Sequence, residues 1–202
     1  PYFMFSAADD TWSSNWIETL LPVAKMNDCV AYGVNKVIDL YGEEIPNQSA
    51  NRRHSFTGPR LVRRVQYFAS PAALGKANPI NGIFYKKLFS EDVWREFSKF
   101  RNAPDVMALY EFVRNSKIRF VSDAYHNKRF LTKSTASVES FAPQNKRIFR
   151  KTQLPDYLRT SSIAETVILL LAYPIALGGT YWAKVIRLKV KIAARRKKAR
   201  LQ

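Results

Sequence analysis

TVILLLAYPIALGGTYWA, residues 166–183, runs eighteen positions without a charge, and KVIRLKVKIAARRKKARLQ, residues 184–202, follows at once. An uncharged apolar run of about 18 residues is the usual mark of a membrane-spanning helix. Ser162-Ile163-Ala164-Glu165 has the S-x-x-E form of a capping box and sets the helix start near Ile163. Carried on to about Leu188, the helix reaches roughly 39 Å at ~1.5 Å per residue, enough to cross a ~30 Å hydrocarbon core with tilt. The competing reading, a helix buried in a folded head, demands complete burial of an all-round apolar surface. A head of this size supplies that poorly, so the sequence predicts a span over 162–188.

The details of the span fit that expectation. Ala172, Ala176, Gly179, Thr180 and Ala183 recur at spacings of three and four, a narrow small-residue face suited to close packing on a partner helix. Tyr181 and Trp182 stand at one end, where amphipathic rings favour the headgroup level, and Lys184 and Arg187 can snorkel just beyond. The polybasic tail 189–202, with Arg195, Arg196, Lys197, Lys198 and Arg200, suits contact with anionic phospholipid such as cardiolipin. The positive-inside bias places it on the negative side of the membrane.

Upstream the chain divides by composition. Residues 1–22 form an aromatic-rich arm (Tyr2, Phe3, Phe5, Trp12, Trp16) ending at Leu21-Pro22. Residues 23–132 read as a mainly helical domain. Val30, Val34, Val37, Ile38 and Tyr41 share one face at helical spacing, and Gly42 stands where a C-cap belongs. A second helix runs from Pro59 to Ala69 and stops at Ser70-Pro71. Ser90 caps a third, bearing Val93, Trp94, Phe97 and Phe100, and Pro104 opens a fourth with Val106, Leu109, Tyr110 and Val113 on one side. Residues 118–132 alternate weakly, as a short strand pair or irregular chain. A basic linker, 133–161, leads to the span. The fold class expected is mainly α: a small helical domain with extended and loop segments, one C-terminal transmembrane helix and a basic tail.

Charge is uneven. The net charge is +17. Residues 1–45 set seven acids against Lys25 and Lys36, whereas 46–90 hold eight Lys or Arg and no acid. A field of this sign draws polyanions: RNA, anionic headgroups or an acidic partner subunit. The single cysteine, Cys29, excludes an internal disulfide and a Cys-based zinc site. A start at Pro1 without Met is expected from removal of a targeting presequence.

Signals of catalysis are sparse. Phosphate-binding, dinucleotide, zinc-protease, nucleophile-elbow and C-x-x-C motifs are absent. His54 and His126 are the only histidines, and neither has a Cys partner or stands in a metal-ligand motif. Neither is expected to be a ligand, and an enzyme is expected only if one of them meets a carboxylate in space. No cofactor and no metal are expected. The sequence therefore predicts a non-catalytic accessory, single-pass subunit of a mitochondrial inner-membrane energy-transducing complex, ATP synthase or respiratory chain. Its partners would be other subunits and membrane lipids. The competing expectation is an RNA-binding structural protein such as a mitochondrial ribosomal protein.

Overall fold

Cys29–Ile38, CVAYGVNKVI, forms a ten-residue strand, not the helix its spacing predicts. It is β3 of a computed structural model that describes residues 1–88, 104–130 and 154–200, apart from the side chains of Thr180, Ala183, Lys184, Val185, Arg187 and 190–200. With β1 (Tyr2–Met4), β2 (Thr11–Trp12), β4 (Ile83–Tyr85) and β5 (Lys117–Arg129) it builds one sheet in the order β1-β4-β3-β5-β2. The mainly α expectation is therefore corrected to a mixed α/β fold. The cause is β3's position. A central strand covered on both faces reads as a near-continuous apolar run, which periodicity alone cannot tell from a buried helix. Gly42 does adopt a positive φ of 87°, but in the turn after the strand, where the Asp39 carboxylate accepts the amides of Tyr41 and Glu43 at 2.9 Å each.

β3 and β5 run parallel from Cys29↔Lys117 to Ile38↔Arg129, with an irregularity between Tyr32 and Val34. The other pairings are antiparallel. The arm is thus part of the sheet: β1 covers the outer edge of β4, and β2 covers that of β5.

One sheet face carries α1 (Trp16–Asn27), whose Trp16, Leu20 and Ala24 pack on Ala31, Ile83 and Ala124. Gly33 permits that approach. A Cβ there would collide with the Ala124 carbonyl oxygen and lie 2.6 Å from the Trp16 ring. The other face carries the larger core, built by α2 (Arg60–Ala69), α3 (Pro104–Asn115), α4 (Leu154–Arg159) and α5 (Ile163–Arg200). α2 and α3 occupy the stretches that sequence spacing predicts, and Val106, Leu109, Tyr110 and Val113 are all buried. The expected helix after Ser90 (Val93, Trp94, Phe97, Phe100) and residues 133–153 of the linker lie outside the described residues.

The membrane-spanning helix expected over 162–188 is corrected as well. The segment is helical, but among the described residues no helix is long and apolar enough to cross a membrane. The single-pass inner-membrane location expected from it is corrected on the same finding. Physically, the run is divided between two environments. Leu169, Ala172 and Ala176 belong to the core beside Tyr67, Phe68 and Tyr110, so part of the apolar character packs this chain's own head.

Candidate interaction surface

The N-terminus of α5 is fastened by charge. The Ser162 amide donates to Glu165 Oε2 at 3.0 Å and the Glu165 amide to Ser162 Oγ at 3.3 Å, a reciprocal capping box. Two arginines from α2 complete the anchor: Arg60 meets Glu165 Oε1 at 2.9 Å and Arg64 meets Oε2 at 2.7 Å. Burial raises the Glu165 carboxyl, but the Ser162 amide, Arg64 and Arg60 outweigh it and hold the carboxyl below its ordinary range. Arg64 is wholly buried. It also donates to the Thr160 carbonyl at 3.1 Å and Ser161 Oγ at 3.3 Å, and its guanidinium lies 4.1 Å from the Tyr110 ring centre. Glu111 sits 3.6 Å from Arg64, farther than Glu165, and burial leaves its carboxyl raised despite Arg64 and Arg114.

Below that anchor the helix presents two faces. Leu169, Ala172 and Ala176 point inward at 1%, 7% and 3% exposure. Residues three and four apart share a helix face, and the opposite side holds Val167, Leu170, Leu171, Ile175 and Trp182. These are 53%, 48%, 76%, 66% and 65% exposed. Pro174 lies on the same outer side and is exposed. Having no N–H, it leaves the Leu170 carbonyl without its usual intrahelical donor. The helix is 38 residues long, so it extends roughly 57 Å at ~1.5 Å per residue. Its second half, from Lys184, carries nine Lys or Arg and no acid. A row of large apolar side chains on one helix face is the kind of surface that marks a protein contact.

The small-residue positions fall differently from one another. Ala172 and Ala176 are in the core, and a Cβ on Gly179 would meet Pro71 Cγ at 3.0 Å and the Ala69 carbonyl oxygen at 3.2 Å. The close helix approach that small residues permit is thus made to α2 and the turn after it, within the chain. Gly178, one position on, has nothing within 4 Å of a built Cβ. Tyr181 and Trp182 are exposed. The side chains of Thr180, Ala183, Lys184, Arg187, Arg195, Arg196, Lys197, Lys198 and Arg200 lie outside the described residues.

Three of the eight cations in 46–90 are internal. Arg63 donates to the carbonyls of Val113 at 2.9 Å, Arg114 at 3.2 Å and Gly58 at 2.7 Å, closing the C-terminal end of α3. Lys76 is wholly buried, donates to Tyr157 Oη at 2.8 Å and the Tyr67 carbonyl at 3.2 Å, and is pushed down by burial to about 7. Sequence reasoning missed these roles because composition cannot show that a cation has carbonyls waiting for it.

The histidines are both engaged. His54 contacts the Leu74 carbonyl at 2.8 Å, stacks on Phe56 and is held low chiefly by burial. His126 does meet a carboxylate in space, Asp10 Oδ2 at 2.9 Å from Nε2, while Nδ1 lies 2.7 Å from Asn35 Oδ1. It is fully buried with both ring nitrogens occupied, so the pair has no ring nitrogen left to serve a substrate. Among the described residues no group of three or more His, Cys, Asp or Glu could hold a metal ion. No family model, curated protein or solved structure matches the chain.

Proposed function

We propose that the protein is a non-catalytic assembly subunit, joined to a larger complex through the outward face of α5. One observation carries the reading. Val167, Leu170, Leu171, Ile175 and Trp182 are held in the open on a helix whose opposite face is locked to the head by Glu165, Leu169, Ala172 and Ala176. A helix fixed on one side and apolar on the other is organised to present a surface. The partner this chemistry fits is an apolar protein helix leading into an acidic segment. The helix would cover the outward face, and the acids would lie along the basic second half.

The assembly reading is favoured over the RNA-binding one because the apolar outward face of α5 calls for an apolar partner, which a backbone of phosphates does not offer, and because three of the eight cations in 46–90, Arg63, Arg64 and Lys76, are spent inside the fold. Photo-crosslinking residues placed at Leu171 and Ile175 in the full chain test the proposal. They are expected to join one subunit of the native complex with which the protein comigrates, whereas a crosslinker at exposed Tyr41 is expected not to. Migration as a free monomer, with no adduct at either α5 position, would contradict it.

A further inference from the structure

The exposed residues of α5 keep a stricter order than one apolar side requires. Val167, Leu171, Pro174, Gly178, Tyr181 and Leu188 are all exposed. Their spacing runs four, three, four, three and then seven. A seven-residue repeat drifts by about 20° per heptad on a straight helix, so the stripe winds left-handed around α5. A second helix follows such a stripe by crossing at about 20°, its side chains set between those of the first. An extended strand, whose side chains repeat every two residues, has no period to match it.

The stripe is uneven. Leu171 and Tyr181 are large, and over the roughly 15 Å between them, at ~1.5 Å per residue, it holds only the Pro174 ring and Gly178. By helical spacing Ile175 and Trp182, both exposed, flank this gap on one side. A Cβ built on Gly178 finds nothing within 4 Å, so the head does not fill the gap. A glycine inside a helix costs stability relative to alanine. Gly179 is needed for the close approach to Pro71 and the Ala69 carbonyl; Gly178 has no such use within the chain.

We propose that the occupant of this face is one helix of a different chain, crossing α5 at about 20°. It seats a large apolar side chain in the gap over Gly178 and runs acidic residues beside the half of α5 that begins at Lys184. The inference rests on the reading of α5 as a docking face and adds the geometry of what docks. Charge decides against a second copy of this chain. In parallel, two basic halves of nine Lys or Arg each would lie together. Antiparallel, each would run toward the other's Glu165, whose carboxylate Arg60 and Arg64 already hold. Gly178 is thereby a specificity residue: a side chain added there excludes the partner that fits the gap.

Benzophenone side chains placed singly at Val167 and Leu188 in the full chain, within the complex with which the protein comigrates, test the helix. Both are expected to label one partner segment at points about 21 residues apart, matching their own separation along α5. An extended segment covering the same distance would be labelled at points about 10 residues apart. Gly178→Leu tests the gap. Its unfolding midpoint is expected to match or exceed that of the unmodified protein, while labelling from Val167 falls at least tenfold. Labels about 10 residues apart, or undiminished labelling with Gly178→Leu, would overturn the proposal and leave the docking face standing. A lowered midpoint would show that the gap is closed from within the chain and overturn it as well. So would labels on lipid or on a second copy of this chain. No adduct at either Leu171 or Ile175 would remove the docking face itself, and this inference with it.

Discussion

The two faces of α5 share one apolar composition and differ in everything else. The inward face ends at Glu165, bound by two arginines, and continues through Leu169, Ala172 and Ala176 into the core. The outward face repeats Val167, Leu171, Ile175 and Trp182 with no cover among the described residues. The inward side chains stabilise the fold; the outward ones have no such role, and substituting them is expected to leave it intact. The contrast teaches that hydrophobicity along a helix says how much must be covered, not by what.

The largest expected effect comes from breaking the inward anchor. Arg64→Ala leaves Glu165 and Glu111 without their shared buried cation and is expected to cost about 3–5 kcal/mol in denaturant unfolding. Leu169→Ala, which empties a core position, is expected to cost about 2–5 kcal/mol. A loss below 1 kcal/mol for either would mean that α5 is not integral to the head.

Lys76, beneath the same core at Tyr157, gives a pH test of the inward side. Its folded value is about 7 against an ordinary 10.5, so between those values the unfolded chain binds more protons than the folded one. Stability should therefore rise from pH 7 toward pH 10 by a few kcal/mol. Tyr67 and Tyr157, raised by burial, reverse the slope above that. Lys76→Met should flatten the rise, read from urea midpoints across the range.

The adjacent glycines compare the faces at the scale of one methyl group. Gly178→Ala meets open space and removes a helix-interior glycine, so a gain of up to about 1 kcal/mol is expected. Gly179→Ala crowds Pro71 and the Ala69 carbonyl and should recover less of that gain or lose stability. Equal gains would show that Gly179 does not pack as described.

Which parts of this were legible in the sequence follows from how local their causes are. The capping box of Ser162 and Glu165, the stop at Ser70-Pro71 and the start at Pro104 are written in neighbouring residues, and α2, α3 and α5 stand where those signals put them. β3 was not legible, because Val30, Val34, Val37 and Ile38 satisfy helical spacing while its neighbours in the sheet, β4 and β5, and the helices on the larger-core face come from distant segments. The same non-locality hid the anchor. Arg64 and Glu165 are 101 positions apart, and Asp10 and His126 are 116 apart. Small residues at Ala172, Ala176 and Gly179 announced close packing, but nothing along the helix identified α2 as the surface they pack on.

The most direct measurement of the division between the faces pairs thermal unfolding with native-gel comigration for one outward variant, Leu171→Gln with Ile175→Gln, in the full chain. Surface changes of this kind usually move stability by no more than about 0.5 kcal/mol. The account predicts an unfolding midpoint within about 3 °C of the unmodified protein, as that free energy implies, together with loss of the complex. A collapsed midpoint, or a variant that still comigrates with its complex, would contradict it.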